Sequence, residues 1–139
     1  MSGQPNRVER EVAEAILQRL IERASEINAT EQYMWRIVRL ELFGSMLDPS
    51  ATTVGDIDIV IETEPKITER AEYIALAKKA WSRAPKGSQF WNWPEEEVLN
   101  HLLAGSEIIS LHYHSDPTVR RWPGKVVFES ELISPDITL

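Results

Sequence analysis

Two aspartates stand two positions apart at the start of an apolar run, in the stretch Asp56-Ile57-Asp58-Ile59. Because successive side chains of a β-strand point to opposite faces, Asp56 and Asp58 share one face while the isoleucines face the core. Carboxylates side by side repel each other unless a cation lies between them. Hard divalent ions such as Mg²⁺ take oxygen ligands of this kind together with substrate phosphates. The pattern therefore predicts a cation site on a rigid strand.

A second feature precedes these aspartates by ten residues, where Gly44 and Ser45 follow an apolar run at 36–43 that is typical of a strand. Glycine permits a tight turn and close approach to the backbone, and exposed N–H groups with a hydroxyl can cradle phosphate oxygens. A phosphate cradle beside a metal-binding pair is the minimum apparatus for phosphoryl or nucleotidyl transfer. The alternative is that Gly44 only ends a strand and that both aspartates are solvated turn residues.

The surrounding pattern predicts the elements that must position these residues. Apolar spacing favours a first helix over residues 7–27, and Thr68 can cap a second helix that begins at Glu69. Pro94 suits the start of a third helix, and Gly105 suits its end. The predicted strands cover 36–43, 56–62, 107–114 and 125–128. The order predicts an α/β (α+β) fold with helices packed on a small mixed sheet.

Length and composition set the outer bounds. The 139 residues predict one domain over 1–139, with residues 1–6 and about 134–139 as flexible tails. A net charge of −7 argues against coating of nucleic acid or of an anionic membrane, and the absence of cysteine excludes disulfides and thiolate chemistry. The start of the chain is too polar for a signal peptide, and no apolar run is long enough for a membrane span. We expect a cytoplasmic protein.

The spacing of these motifs resembles the signature of the polymerase-beta-type nucleotidyltransferase superfamily. In that signature an apolar residue precedes Gly-Ser, and a variable loop leads to Asp-apolar-Asp-apolar at the start of the next strand; here these are 43–45 and 56–59. The predicted order of elements is also similar to that of the small, minimal nucleotidyltransferase domains. The signature covers residues 42–60, and the element order extends the resemblance weakly to most of the chain.

The resemblance implies a concrete activity. Asp56 and Asp58 would be catalytic and hold Mg²⁺ or Mn²⁺, while Gly44 and Ser45 would contact the triphosphate of a nucleoside triphosphate, ATP by family analogy. An acceptor hydroxyl would attack the α-phosphorus and release pyrophosphate. We expect no accessory substrate domain of useful size within this length, so a protein partner or a second subunit is expected to hold the acceptor. A nucleic-acid acceptor stays open but is not favoured.

The chain departs from the family pattern at the third carboxylate. Active members carry this acid on a later strand, and here the aligned position is Ser110. Glu107 would need a bulge to replace it, and Glu41 on the first strand is another substitute. His112, which shares one strand face with His114, can serve there as a base or a metal ligand. The alternative function is a catalytically impaired module for nucleotide binding or protein interaction, such as an antitoxin-like partner of a helical toxin.

Overall fold

The computed structural model describes residues 7–119 and 123–130, so the predicted tails at 1–6 and 134–139 lie outside the described residues. Within these ranges the chain forms six strands, three α-helices and two short 3-10 turns. They are β1 (Val8–Glu9), α1 (Arg10–Ala29), β2 (Trp35–Phe43), a turn (Gly44–Leu47), β3 (Thr53–Val54), β4 (Ile57–Pro65), α2 (Arg70–Trp81), a turn (Phe90–Asn92), α3 (Trp93–Leu103), β5 (Ile109–Tyr113) and β6 (Lys125–Glu129). None of the described helices is long and apolar enough to cross a bilayer.

Four of the strands form one mixed sheet in the order β5-β4-β2-β6. β2 runs antiparallel to both β4 and β6, whereas β4 and β5 are parallel. The parallel pair needs a long crossover, and the segment that contains α2 and α3 supplies it. β1 and β3 form a separate two-stranded antiparallel ladder. The predicted α+β fold with a small mixed sheet is confirmed.

One face of the large sheet packs on α1 and α3. The alternation of Asp and Ile at the start of β4 arises here, because Ile57, Ile59 and Ile61 are fully buried in this core while Asp58 points to the other face. Burial of aliphatic side chains on one face fixes the register, since a slip by one residue would exchange the faces. The helices contribute fully buried residues to the same core, among them Leu20, Ile27, Val98 and Leu102.

Two predicted helix starts were wrong. The first helix begins at Arg10, because Val8 and Glu9 pair with β3 instead of joining the helix. The second begins at Arg70, and its N-cap is Glu69 in place of Thr68. The Glu69 carboxylate accepts hydrogen bonds from the backbone N–H groups of the next turn, at 3.2 and 2.7 Å, and so satisfies donors that the helix leaves unpaired.

Candidate functional site

The Gly-Ser turn and the aspartate strand meet at Gly44 and Asp58. Phe43, the last residue of β2, pairs with Asp58 in β4, so the chain enters the turn directly beside this carboxylate. Gly44 has a φ of +84°, and a Cβ atom placed on it would lie 2.6 Å from Asp58 Oδ2. Only glycine suits both the left-handed backbone and this contact. The structure therefore brings together one residue from each predicted half of the site.

A cavity of about 570 Å³ opens beside this contact. Its size falls within the range of small-molecule sites. Both Gly44 and Asp58 line it, together with Phe43, Leu47, Asp48 and Pro123. The position of the cavity allows a ligand to touch the glycine backbone and the carboxylate at the same time.

Ser110 lies beside Asp58 on the neighbouring strand. The two residues are register partners in the parallel pair of β4 and β5, and His112 is the partner of Val60 one step further along. His112 Nε2 lies 3.6 Å from Asp58 Oδ1 and 3.4 Å from Ser110 Oγ. The side chains of His112 and Asp58 are 27% and 30% exposed. Both residues predicted for the third position therefore lie at the Asp58 carboxylate.

Two other predicted residues, Asp56 and Ser45, are not among the residues that line the cavity. Asp56 is exposed and precedes β4, two positions before Asp58, and Ser45 is exposed in the turn after β2. Within residues 7–119 and 123–130, no three histidine, aspartate or glutamate side chains form a group able to hold a metal ion. Asp56 therefore does not join Asp58 and His112 in one cluster of ligands, and its role as a metal ligand stays a prediction.

The two glutamates considered as substitutes for the third acid lie elsewhere. Glu107 is exposed and precedes β5. The Glu41 carboxylate lies on the β6 side of the sheet, since a Cβ atom on Gly124 would come within 2.9 Å of Glu41 Oε2. In the sheet, β4 lies between β2, which carries Glu41, and β5, which carries Ser110. His112 is the ionisable side chain that the structure brings to the third position.

Arg10 holds the loop that separates the two predicted motifs, a role that the sequence reasoning missed. Its guanidinium donates hydrogen bonds of 2.8 to 3.0 Å to three backbone carbonyls of the loop. The acceptors are Met46, Asp48 and Ala51. No local pattern identifies such a residue, because its partners lie 36–41 positions away in the sequence.

Hydrogen bonds order two carboxylates near the cavity and near His112. Ser50 donates to Asp48 from its backbone N–H and its hydroxyl, and these bonds lower the pKa of Asp48. Thr118 donates to Asp116 in the same manner and lowers the pKa of that carboxyl, to which the nearby His112 adds a smaller lowering effect. His112 thus lies within electrostatic reach of Asp116 as well as beside Asp58.

The donor set can be compared with the divalent ion that the resemblance implies. Carboxylates suit Mg²⁺ and Mn²⁺, and Asp58 presents one into a cavity of sufficient size for a phosphate ligand. A second carboxylate, that of Asp56, remains a prediction from the sequence, because Asp56 does not join this cluster. The imidazole of His112 is a ligand that transition ions accept more readily than Mg²⁺ does. The residues therefore fit a divalent ion, with one nitrogen donor that the family pattern lacks.

Comparison with known proteins adds no relative. The chain matches no protein-family model, no curated protein and no solved structure. Its functional assignment therefore depends on the sequence signature and on the geometry around Asp58.

Proposed function

We propose that this protein binds a nucleoside triphosphate together with a divalent cation and transfers the nucleotidyl group to a hydroxyl acceptor. The observation that carries the proposal is the contact between Gly44 and Asp58, at which a Cβ atom on the glycine would lie 2.6 Å from the carboxylate. This contact puts a glycine backbone, which can approach phosphate oxygens closely, and a carboxylate, which suits a cation, at one edge of the same cavity. ATP is the expected nucleotide by family analogy.

The chemistry requires few protein groups. Asp58, with Asp56, would hold the cation, and Gly44 with Ser45 would contact the phosphates. The acceptor oxygen forms a bond to the α-phosphorus while the bond from that phosphorus to the bridging oxygen breaks. Pyrophosphate leaves, and the acceptor proton passes to solvent. Such a reaction depends mainly on positioning and on neutralisation of charge, which a rigid strand and turn can provide.

Titration calorimetry with α,β-methylene ATP, which cannot release pyrophosphate, tests the binding step. We expect the wild-type protein to bind the analogue in the presence of Mg²⁺ or Mn²⁺, and Asp58→Asn to weaken binding by about 10-fold or more, since it removes a charged ligand of the cation.

Glu62→Gln is the matched control for this experiment, because Glu62 lies on the same strand and pairs with Arg39 at 3.3 Å instead of facing the cavity. Binding should be retained in this variant. Equal affinity of the wild type and Asp58→Asn would refute the proposed site, as would no binding at all.

A binding module without transfer activity is the second candidate function. The observation that favours it is Ser110, which stands in register beside Asp58 and offers a hydroxyl where active members of the superfamily carry a carboxylate. Such a module would use the nucleotide, or the surface around it, to recognise a protein partner.

Transfer of label from α-³²P-ATP separates the two candidates. The wild type is incubated with the labelled nucleotide and a total cell extract as the source of acceptors. Labelled product from the wild type, lost in Asp58→Asn, supports the transferase. Binding without labelled product in the wild type, with product from Ser110→Asp, supports the module, because that substitution restores the third carboxylate.

A further inference from the structure

We infer that the ion site at Asp58 is a mixed carboxylate–imidazole site that selects a first-row transition ion, with Mn²⁺ as the test ion, over Mg²⁺. The inference rests on the proposed function in using the same carboxylate, and it adds His112 as a direct ligand. It is carried by the approach of His112 Nε2 to Asp58 Oδ1, at 3.6 Å.

The separation of these two atoms suits a shared ion. Atoms 3.6 Å apart can both lie about 2.1 Å from one ion, at an angle of about 120° between the two bonds, and distances near 2.1 Å are typical of nitrogen and oxygen ligands of transition ions. Asp58 also lines the cavity, from which water or phosphate oxygens can supply further ligands.

The two ligands are held by different strands whose register is fixed. Asp58 lies between the fully buried Ile57 and Ile59, and its other oxygen rests against the backbone of Gly44. His112 lies two positions beyond Ser110, the register partner of Asp58. Pre-organised ligands lose little conformational freedom when they bind an ion, so this geometry favours affinity.

A second histidine–carboxylate pair in the chain lacks these features. His101 lies 3.4 Å from Glu26, but the two side chains are 36% and 62% exposed on helix surfaces. The glutamate is long and largely solvated, so the pair has no fixed geometry to offer an ion. It therefore supplies a control of matched chemistry.

The charge and chemistry of the ligands decide which ion is preferred. Mg²⁺ requires nearly ideal octahedral oxygen coordination and gives up its water reluctantly, so it depends on carboxylate charge. The hydroxyl of Ser110, 3.4 Å from His112 Nε2, is neutral and adds no negative charge to the site. Imidazole nitrogen is a better ligand for transition ions than for Mg²⁺, and His112 offers it at the same place. The neutral hydroxyl of Ser110 and the imidazole of His112 both disfavour Mg²⁺ binding.

Electron paramagnetic resonance of Mn²⁺ tests this inference on the full chain without nucleotide. We expect Mn²⁺ to bind about 10-fold or more tightly than Mg²⁺, which is added as the competitor. Spin-echo spectra should show modulation from a coordinated ¹⁴N nucleus. In His112→Ala that modulation should disappear and Mn²⁺ affinity should fall by about 10-fold, whereas His101→Ala should change neither. Circular dichroism establishes that each variant is folded.

Exchange of the nitrogen ligand for an oxygen ligand provides a test in the opposite direction. His112→Asp restores an all-oxygen set of ligands, so we expect the preference to shift toward Mg²⁺ and the nitrogen modulation to vanish. Equal Mn²⁺ and Mg²⁺ affinities in the wild type, or Mn²⁺ binding without nitrogen modulation, would overturn the inference.

The failure of this inference can be told apart from failure of the proposed function. Binding of the ATP analogue that depends on Asp58, with no nitrogen signal from the ion, would overturn the inference alone. A nitrogen signal that depends on His112, with no binding of the analogue, would support the inference and refute the nucleotide site. Mn²⁺ binding that is unchanged in Asp58→Asn would overturn both.

Discussion

At the scale of single residues, the site depends on how closely Gly44 and Asp58 approach each other. The glycine meets two demands, a φ of +84° and the absence of a side chain where the carboxylate lies. These demands have separate costs. A left-handed backbone costs an alanine roughly 1–2 kcal/mol, whereas the steric contact of its Cβ atom would also displace the Asp58 carboxylate.

Gly44→Ala is therefore expected to reduce both stability and binding. Gly87→Ala is the matched control, because Gly87 has a φ of +89° and no atom lies within 4 Å of a Cβ placed on it. We expect both variants to lose roughly 1–2 kcal/mol of unfolding free energy from backbone strain, and Gly44→Ala to lose more. Urea unfolding measures the stability, and calorimetry with α,β-methylene ATP measures the binding.

Binding should distinguish the two glycines more sharply than stability does. Gly44→Ala is expected to bind the analogue at least about 10-fold more weakly, since Asp58 must move. Gly87→Ala should bind like the wild type. If both alanine variants retained wild-type affinity, the close approach of Gly44 and Asp58 would have no part in the site.

At the scale of elements, the start of α1 controls the loop between the two motifs. Arg10 is the first residue of this helix, and its guanidinium donates to the carbonyls of Met46, Asp48 and Ala51. Its own backbone N–H donates to Thr52 O at 3.0 Å. The helix and the loop are thereby joined at several points, so the cavity wall that includes Asp48 keeps its shape through α1.

Arg10→Lys is expected to loosen this loop without removing the positive charge. A lysine cannot reproduce the planar set of donors that reaches three carbonyls, and hydrogen bonds from charged groups contribute about 1.5–3 kcal/mol each when intact. We expect hydrogen exchange at the amides of residues 46–52 to accelerate by about 10-fold, with a smaller loss of global stability.

Arg7→Lys is the control for this measurement. Arg7 donates two hydrogen bonds to Thr53, one to its side-chain oxygen and one to its backbone oxygen, and both bonds are exposed. The loop amides should exchange at the wild-type rate in this variant. Similar acceleration in the two variants would indicate that the loop responds to any change near α1.

At the scale of the whole molecule, the two faces of the large sheet differ in the residues that pack on them. One face is sealed by α1 and α3, and the other presents Asp58, Ser110 and His112 together with a small apolar cluster. That cluster consists of Phe43, Val60 and Val119. The main aliphatic core and the candidate site thus lie on opposite faces of the same strands.

Carboxylates in the loops of this molecule predict how stability depends on pH. The pKa values of Asp48 and Asp116 lie below the ordinary value of 3.8, because serine and threonine groups donate hydrogen bonds to their charged forms. A lowered pKa contributes stability that is present above the unfolded value and is lost as pH falls through the folded one. We expect the urea midpoint to decline below pH 4.

The double variant Asp48→Asn and Asp116→Asn tests this dependence. Its urea midpoint should fall less steeply between pH 4 and about pH 2.5 than that of the wild type, because two of the linked groups are gone. Thermal unfolding at the same pH values gives an independent measurement. An unchanged slope would assign the acid sensitivity to other carboxylates.

The sequence carried information about features that repeat along the chain or lie close together in it. The alternation at 56–59 predicted β4 and its two faces because burial on one side imposes a period of two. Gly44 was predicted to end a strand. The alternation of side chains along β5 predicted that Ser110 and His112 share one face of that strand. The position of His112 beside Asp58 depends on the parallel register of two strands distant in sequence, and no local signal encodes it.

Features that are very short, or that join residues distant in sequence, were not predicted, because they leave no local pattern. β1 and β3 have two residues each, too few for any periodicity to be visible. Glu69 replaced Thr68 as the cap because the choice depends on where the first turn starts, which single residues do not determine. Arg10 gave no signal, since its partners become neighbours only in the folded chain.

The parallel pairing of β4 with β5 has a consequence for the order of folding. The crossover between these strands contains α2 and α3, so their pairing closes a long loop, and we expect it to form late in folding. A ligand that touches Asp58 and His112 together can bind only once this closure is complete. Its binding free energy then adds directly to the stability of the native state. Ligand binding at the site would therefore report that folding is complete, and it would slow unfolding.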